Sequence, residues 1–291
     1  MSLPLTRISS DALSVSISPL GAELQSITTA GGQELLWHGD AAFWSGRAPV
    51  LFPIVGRAPQ DRIAVNGVEA EMKQHGFARR SLFALEYSTD SRARFVLEDS
   101  EDTRAVYPFR FRLALTYEVD GASLSVTAEV TNLDDSEMPF GLGFHPAFAW
   151  PLPGGQGAPH LVTLQNGAEP ALARLRDGYL TEDRYPSPFR GGELTVEPAL
   201  FDEDAMIFPE GAGTELLYSA PGTDAPALHF RFENTPNLGI WTKPGAPFLC
   251  IEPWHGMAAR FLGGPEIYDR PDCVTLLPRA SERFAYKVSL Q

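Results

Sequence analysis

The amino-acid sequence predicts an all-β protein of large antiparallel sheets packed face to face, with few short helices. Three observations predict it. Apolar and polar residues alternate with period two along most of the chain, the signature of half-buried strands. Helical periodicity is scarce. The 26 glycines and 25 prolines, above the roughly 12% of an average chain, are spread rather than clustered, and spread punctuation means many turns between many short strands. At 291 residues the expectation is a single domain over 1–291, because all-β folds commonly run long as one unit.

Leu13, Val15 and Ile17 open the pattern. Phe109, Phe111, Leu113, Leu115, Tyr117 and Val119 carry it on, and Leu124, Val126, Ala128 and Val130 repeat it after Asp120-Gly121. Residues 109–130 therefore read as a long hairpin turning at that Asp-Gly pair. The Pro- and Gly-rich segment 151–159 reads as a loop rather than a linker, since strands resume beyond it. Residues 169–176 (Glu169 to Arg176) predict a short helix, which Pro170 limits to about two turns. Leu228, Phe230 and Phe232 alternate briefly, with His229 on the solvent side. Phe284, Tyr286, Val288 and Leu290 close the series.

The formal net charge of −14 repels polyanions, and Arg79-Arg80 is the only adjacent basic pair, so nucleic acid and anionic membrane are excluded as expected partners. No window approaches the ~20 apolar residues of a membrane span. The opening Met1-Ser2-Leu3-Pro4-Leu5 lacks the charged start and apolar stretch of a signal peptide, so a soluble, cytoplasmic protein is expected. Of the two cysteines, Cys250 lies in the apolar run Phe248-Leu249-Cys250-Ile251 and reads as a buried free thiol.

Three segments carry ionisable side chains among glycines, prolines and aromatics. They are Gln74-His75-Gly76-Phe77-Ala78-Arg79, Gly141-Leu142-Gly143-Phe144-His145-Pro146-Ala147-Phe148, and Phe248-Leu249-Cys250-Ile251-Glu252-Pro253-Trp254-His255-Gly256. Glu252 ends an apolar run before a proline. At the mouth of a central strand, partial burial would raise its pKa and suit it to act as a base near neutral pH; the plain alternative is a solvent-facing Glu at a strand end. His145 and His75 are either acid–base groups or core histidines bonded to backbone. Trp241 and Trp254 are either faces for a sugar to stack on or ordinary core. His38, His160, His229 and His255 carry weaker signals, and His255 is read as structural. No HxH, CxxC or HExxH spacing predicts a metal site, and the GxSxG elbow and the GxxxxGK[ST] phosphate loop are both absent.

Taken in order, the motifs resemble the aldose 1-epimerase (galactose mutarotase) family, most nearly its LacX-like branch. The resemblance covers nearly the whole chain. It runs from Pro19-Leu20-Gly21-Ala22-Glu23-Leu24 through Leu36-Trp37-His38-Gly39-Asp40 and Leu51-Phe52-Pro53-Ile54-Val55-Gly56-Arg57 to the three segments above, with Gly239-Ile240-Trp241-Thr242-Lys243 leading into the last. It implies a galactose mutarotase-like β-supersandwich, no cofactor, and an isomerase that interconverts the α and β anomers of a free aldose. By residue it implies Glu252 as catalytic base, His145 as the acid toward the ring oxygen, protonated at the outset, and His75 as a second active-site histidine. Arg57 and Asp204 are implied as sugar contacts, with Asp202 an alternative to Asp204. His75-Gly76-Phe77 stands where better-characterised members have His-Gly-Gly, and Ala205 stands where a histidine follows the aspartate; both changes touch the pocket wall. A small-molecule sugar is the expected partner, the chain itself being a monomer or weak dimer. Two other readings are a non-catalytic carbohydrate-binding β-sandwich and an epimerase acting on a hexose 6-phosphate, which would need several Arg or Lys side chains converging on the phosphate.

Overall fold

The computed structural model describes residues 3–291. It is 45% strand and 7% helix, as the alternation predicts. A nine-stranded sheet runs, in spatial order, through Glu193–Val196, His160–Leu164, Glu215–Ser219, Leu228–Glu233, Ser281–Leu290, Ser123–Asn132, Phe111–Asp120, Arg92–Glu98 and Ala84–Ser88. A six-stranded sheet packs against it, in the order Met206–Phe208, Asn237–Trp241, Phe248–His255, Leu142–Phe144 and Val50–Leu51, with Ala147–Ala149 also on Phe248–His255. Ladders within both sheets are antiparallel.

The long hairpin is present, displaced from its predicted bounds. Its strands are Phe111–Asp120 and Ser123–Asn132, and Asp120 pairs with Ser123, so Gly121 and Ala122 make the turn. The ladder starts at Phe111 rather than Phe109 because the Phe109 N–H donates to the Tyr107 carbonyl at 2.7 Å and the Phe111 N–H to the Asp99 carboxylate at 3.2 Å.

Strand alternation sorts the six-stranded sheet into two faces. Leu249 and Ile251, Leu142 and Phe144, Val50 and Phe52, and Met206 and Phe208 turn inward to the main core between the sheets. Phe52 lies 5.2 Å from Phe111 and 5.7 Å from Phe140, and Phe140 lies 5.8 Å from Phe284, centroid to centroid. These contacts join the two sheets through aromatic rings. The intervening residues, Phe248, Cys250, Leu51, Ile207 and Trp254, turn to the opposite face and form two smaller clusters there. Every catalytic candidate on this sheet occupies that second face.

The helix expected over 169–176 does not form. Leu172 and Ala173 instead bond outward, the Leu172 N–H to Tyr185 at 3.0 Å and the Ala173 N–H to Ile207 at 2.8 Å. Leu175–Arg176 then pairs with Tyr179–Leu180 across Asp177-Gly178. Both turn residues hold positive φ, 54° and 82°, as a two-residue hairpin turn requires. The Asp-Gly turn chemistry, two residues wide, outweighs the weak helical propensity of a segment already shortened by Pro170. The one α-helix among the described residues, Glu101–Val106, is capped by Ser100 and Thr103 and is too short to show a period in sequence. His229 is not simply solvent-facing: its Nε2 meets the Glu215 carboxylate across the strand pair at 3.1 Å. Cys250 and Cys273 are both free, Cys250 buried. Among the described residues no helix is long and apolar enough to cross a membrane.

Candidate active site

Glu252 sits mid-ladder in Phe248–His255, opposite Gly239 on one neighbouring strand, while Trp254 stands opposite Gly143 on the other. Both glycines are needed for space. A Cβ on Gly239 would lie 2.4 Å from the Trp254 ring, and one on Gly143 would lie 2.5 Å from it. The indole thus lies flat over two strands, beside Glu252. His145 follows directly on strand Leu142–Phe144, its N–H held by the Pro49 carbonyl at 3.1 Å, and projects to the same face. Its Nε2 lies 3.2 Å from Glu252 Oε2. Both residues are buried, at 7% and 2% exposure. Trp44 covers the imidazole at 4.8 Å between centroids, and Trp241 meets it edge-on at 5.7 Å.

His75 arrives from a different part of the chain. Its loop crosses the end of the six-stranded sheet so closely that a Cβ on Gly76 would lie 2.1 Å from the Phe52 carbonyl oxygen, and Gly76 also holds φ +70°. Only glycine fits there, which is the physical content of the His-Gly pair. His75 itself takes φ +66°, a left-handed conformation uncommon outside glycine and enriched at functional sites. The Gly56 N–H donates to His75 Nδ1 at 3.1 Å. Nδ1 is therefore an acceptor, and Nε2 carries the proton of the neutral ring. The Gln74 side-chain nitrogen, 3.2 Å away, is itself a donor and offers that Nε2–H no acceptor. The two histidine rings are 5.7 Å apart, edge to face.

These groups line a cavity of about 340 Å³, within the range of small-molecule pockets. Of the residues predicted from sequence, the fold brings Glu252, His145, His75, Asp204, Trp241 and Trp254 into it. Asp204 faces the cavity and Asp202 does not. Arg57 is not brought in. It sits outside the lining, half exposed, 3.7 Å from Asp61 and 3.3 Å from the Asp177 carbonyl. Two acceptors hold it against the outside of the Asp177-Gly178 hairpin. Arg79 takes the place in the cavity wall, and its guanidinium has no hydrogen bond or ion pair among the described residues. Sequence reasoning missed Trp44 and the apolar contribution of Leu175. Trp44 lies in a loop without regular spacing, and Leu175 falls in the segment whose expected helix does not form; the Asp177-Gly178 turn is the signal that places it.

Burial governs the electrostatics. It pushes the Glu252 carboxyl well above the usual carboxylate range, with repulsion from Asp204 adding to the rise; Trp254, whose indole N–H has no settled partner, works the other way. Burial also lowers His145 to about 3, assisted by the Arg79 cation. His75 is driven well below its ordinary value by burial, then by His145 and Arg79. Burial thus favours the uncharged form of each group, a neutral imidazole beside a protonated carboxyl, whereas the resemblance implies a protonated His145. A carboxylic acid beside a neutral imidazole and a carboxylate beside an imidazolium hold the same number of protons, so a shift across 3.2 Å interconverts them.

The donors also include sulfur. One ligand atom each from His145, Cys250 and Glu252 lies within 4.8 Å of the others, all buried. Spacing along the chain did not predict this group because it is assembled from two neighbouring strands.

Comparison with known proteins agrees with this architecture. The family model described as aldose 1-epimerase matches residues 4–169. The chromosomal protein LacX of Lactococcus lactis subsp. lactis is 28% identical over 297 aligned positions, spanning 97% of this chain and 98% of that protein. Among solved structures, a galactose mutarotase related enzyme from Lactobacillus acidophilus superposes with a TM-score of 0.93 at 29% identity, covering 99% of this chain and 97% of that one. A galactose mutarotase-like protein from Lactobacillus casei gives 0.91 at 30% identity, covering 99% and 100%. With a family match across more than half its length and like-folded relatives over nearly all of it, this chain belongs to the aldose 1-epimerase family.

Proposed function

We propose that the protein is a mutarotase for a free aldose, opening and reclosing the pyranose ring by acid–base catalysis. The observation that carries this reading is the imidazole of His145 and the carboxyl of Glu252, 3.2 Å apart on the floor of a sugar-sized cavity. A hemiacetal carbon bears two oxygens, and two groups this close can each serve one of them. Sugar binding draws the pair into its carboxylate–imidazolium form. Glu252 then takes the proton of the anomeric hydroxyl while His145 gives its proton to the ring oxygen. The bond from C1 to the ring oxygen breaks and an aldehyde remains. Rotation about C1–C2 presents its other face. The ring hydroxyl attacks that face and returns its proton to His145, the carbonyl oxygen recovers one from Glu252, and the opposite anomer results with the enzyme restored.

His75 Nε2–H and the Arg79 guanidinium, both uncommitted to strong protein acceptors, supply donors to the sugar and to the oxygen that gains charge. Asp204 offers an acceptor, and Trp241 and Trp254 offer apolar faces. One arginine in the lining suits neutral hydroxyls better than a phosphate, which calls for several converging cations.

The test is polarimetry on pure α-glucose and α-galactose, with glucose 6-phosphate as a third substrate. Rapid anomer exchange that drops by ~10²–10⁴-fold in Glu252→Gln, with the fold intact, is expected. Sugar binding without exchange would instead establish a binding module, and faster turnover of the phosphate ester would reassign the substrate.

A further inference from the structure

We infer that the floor of the cavity is also a site for a thiophilic divalent cation, of which zinc is the type, held by His145, Cys250 and Glu252. The inference goes beyond mutarotation and does not depend on it. Cys250 and Glu252 are two residues apart on one strand, so alternation turns both side chains to the same face. His145 approaches that face from the neighbouring strand. Nitrogen, sulfur and oxygen donors lie mutually within 4.8 Å, and the His145–Glu252 edge is already 3.2 Å. Zinc takes these three ligand types at about 2.0–2.3 Å in a tetrahedron, so shifts of about an ångström by flexible side-chain ends close the set. Glu252 Oε2 faces His145 Nε2 at 3.2 Å without a well-formed hydrogen bond, and His145 Nδ1 has no hydrogen-bond partner, so a cation between the strands would complete the bonding of a buried oxygen that the imidazole alone meets poorly.

Three protein ligands leave a fourth position open toward the cavity, the arrangement of an accessible rather than a structural zinc site. His145 and Glu252 line the cavity, which gives the ion its route. Cys250 lies beneath them, wholly buried and in contact with neither bulk solvent nor the cavity surface. It therefore contributes to ion binding without being needed by a sugar. A cation seated here ties up the same imidazole and carboxylate that would handle the hemiacetal, so metal and sugar exclude one another.

The test uses the chelator-treated full chain, titrated with cobalt(II) and separately with zinc(II). Wild type is expected to bind one ion with a near-ultraviolet thiolate-to-cobalt absorption band. Cys250→Ser and Cys250→Ala should lose that band and weaken zinc binding calorimetrically by at least the ~10–100-fold that loss of even an outer-shell partner produces. Cys250→Ser is near-isosteric and Cys250→Ala removes only the sulfur, and circular dichroism checks that each variant read is folded. A thiolate band that persists in both variants, or zinc binding unchanged in them, overturns the assignment and places the ion elsewhere. Where anomer exchange is measurable, zinc should inhibit wild type in competition with sugar and inhibit the cysteine variants far less, at unchanged basal rate. An inactive wild type that still shows the thiolate band refutes the catalytic reading alone.

Discussion

Replacing His145 with glutamine tests the charge state on which the mechanism rests. The imidazole is buried and its pKa falls from 6.5 to about 3 in the folded protein, while in the unfolded chain it returns to its ordinary value. Between those two values the unfolded state binds the extra proton. Stability from this residue is therefore fully present above about pH 6.5 and is lost as pH falls toward the folded value. Going from about pH 7 to about pH 4.5 crosses roughly two units of that window. At about 1.4 kcal/mol per unit, wild type should lose about 2.5–3 kcal/mol on this account, an order-of-magnitude figure. His145→Gln has no group to titrate and should be spared that loss. His75 is depressed in the same direction but is common to both proteins, so it largely cancels in the difference. The assay is urea unfolding of both proteins at the two pH values, comparing extrapolated stabilities. Parallel pH dependence in the two would refute a buried neutral imidazole and, with it, the proton assignment to Glu252.

Glu252 has the opposite sign. Its folded pKa is raised, so its contribution is present below the ordinary carboxylate value and is lost as pH rises through the folded pKa; Glu252→Gln should thus gain stability relative to wild type in alkaline urea titrations while losing anomer exchange. Arg79→Met should raise KM about ten- to a hundredfold, the equivalent of ~1.5–3 kcal/mol for hydrogen bonds from a charged donor, whereas Arg57→Met should leave it unchanged in the same steady-state assay. Gly239→Ala drives a methyl into the Trp254 ring; thermal denaturation should show a loss of about 1–3 kcal/mol from overpacking, and an unaltered melting curve would mean that the indole moves freely. Arg270 is buried and donates to the carbonyls of Val55 at 2.5 Å, Met257 at 3.1 Å and Arg57 at 3.3 Å, so Arg270→Met should release the segments carrying Gly56 and Ala258 and lower stability by several kcal/mol, since each orphaned carbonyl costs about 1–3 kcal/mol.

Much of this molecule is readable before folding because strand alternation is a local property. Val126, Val130, Phe284 and Val288 declare their inward face through period alone, and Asp120-Gly121 locates a turn within one residue. Glu252, His145 and His75 stand out because glycine, proline and aromatics flank them, and Gly76 has a local reason that the Phe52 carbonyl makes concrete. The 169–176 segment departs from its local propensity because its hydrogen-bond partners, Tyr185 and Ile207, lie outside the segment, and nothing within it encodes them.

Sequence alone determined the all-β class, the apolar run that ends at Glu252 and the family's ordered motifs, since these depend on neighbours a few residues away. Tertiary structure decided which arginine enters the cavity, which aspartate faces it, that burial favours the uncharged forms of His145 and Glu252, and that Cys250 lies beside them. The physical reason is that burial and proximity between strands set desolvation and Coulomb energies, and neither quantity exists until segments remote in sequence are brought within a few ångströms.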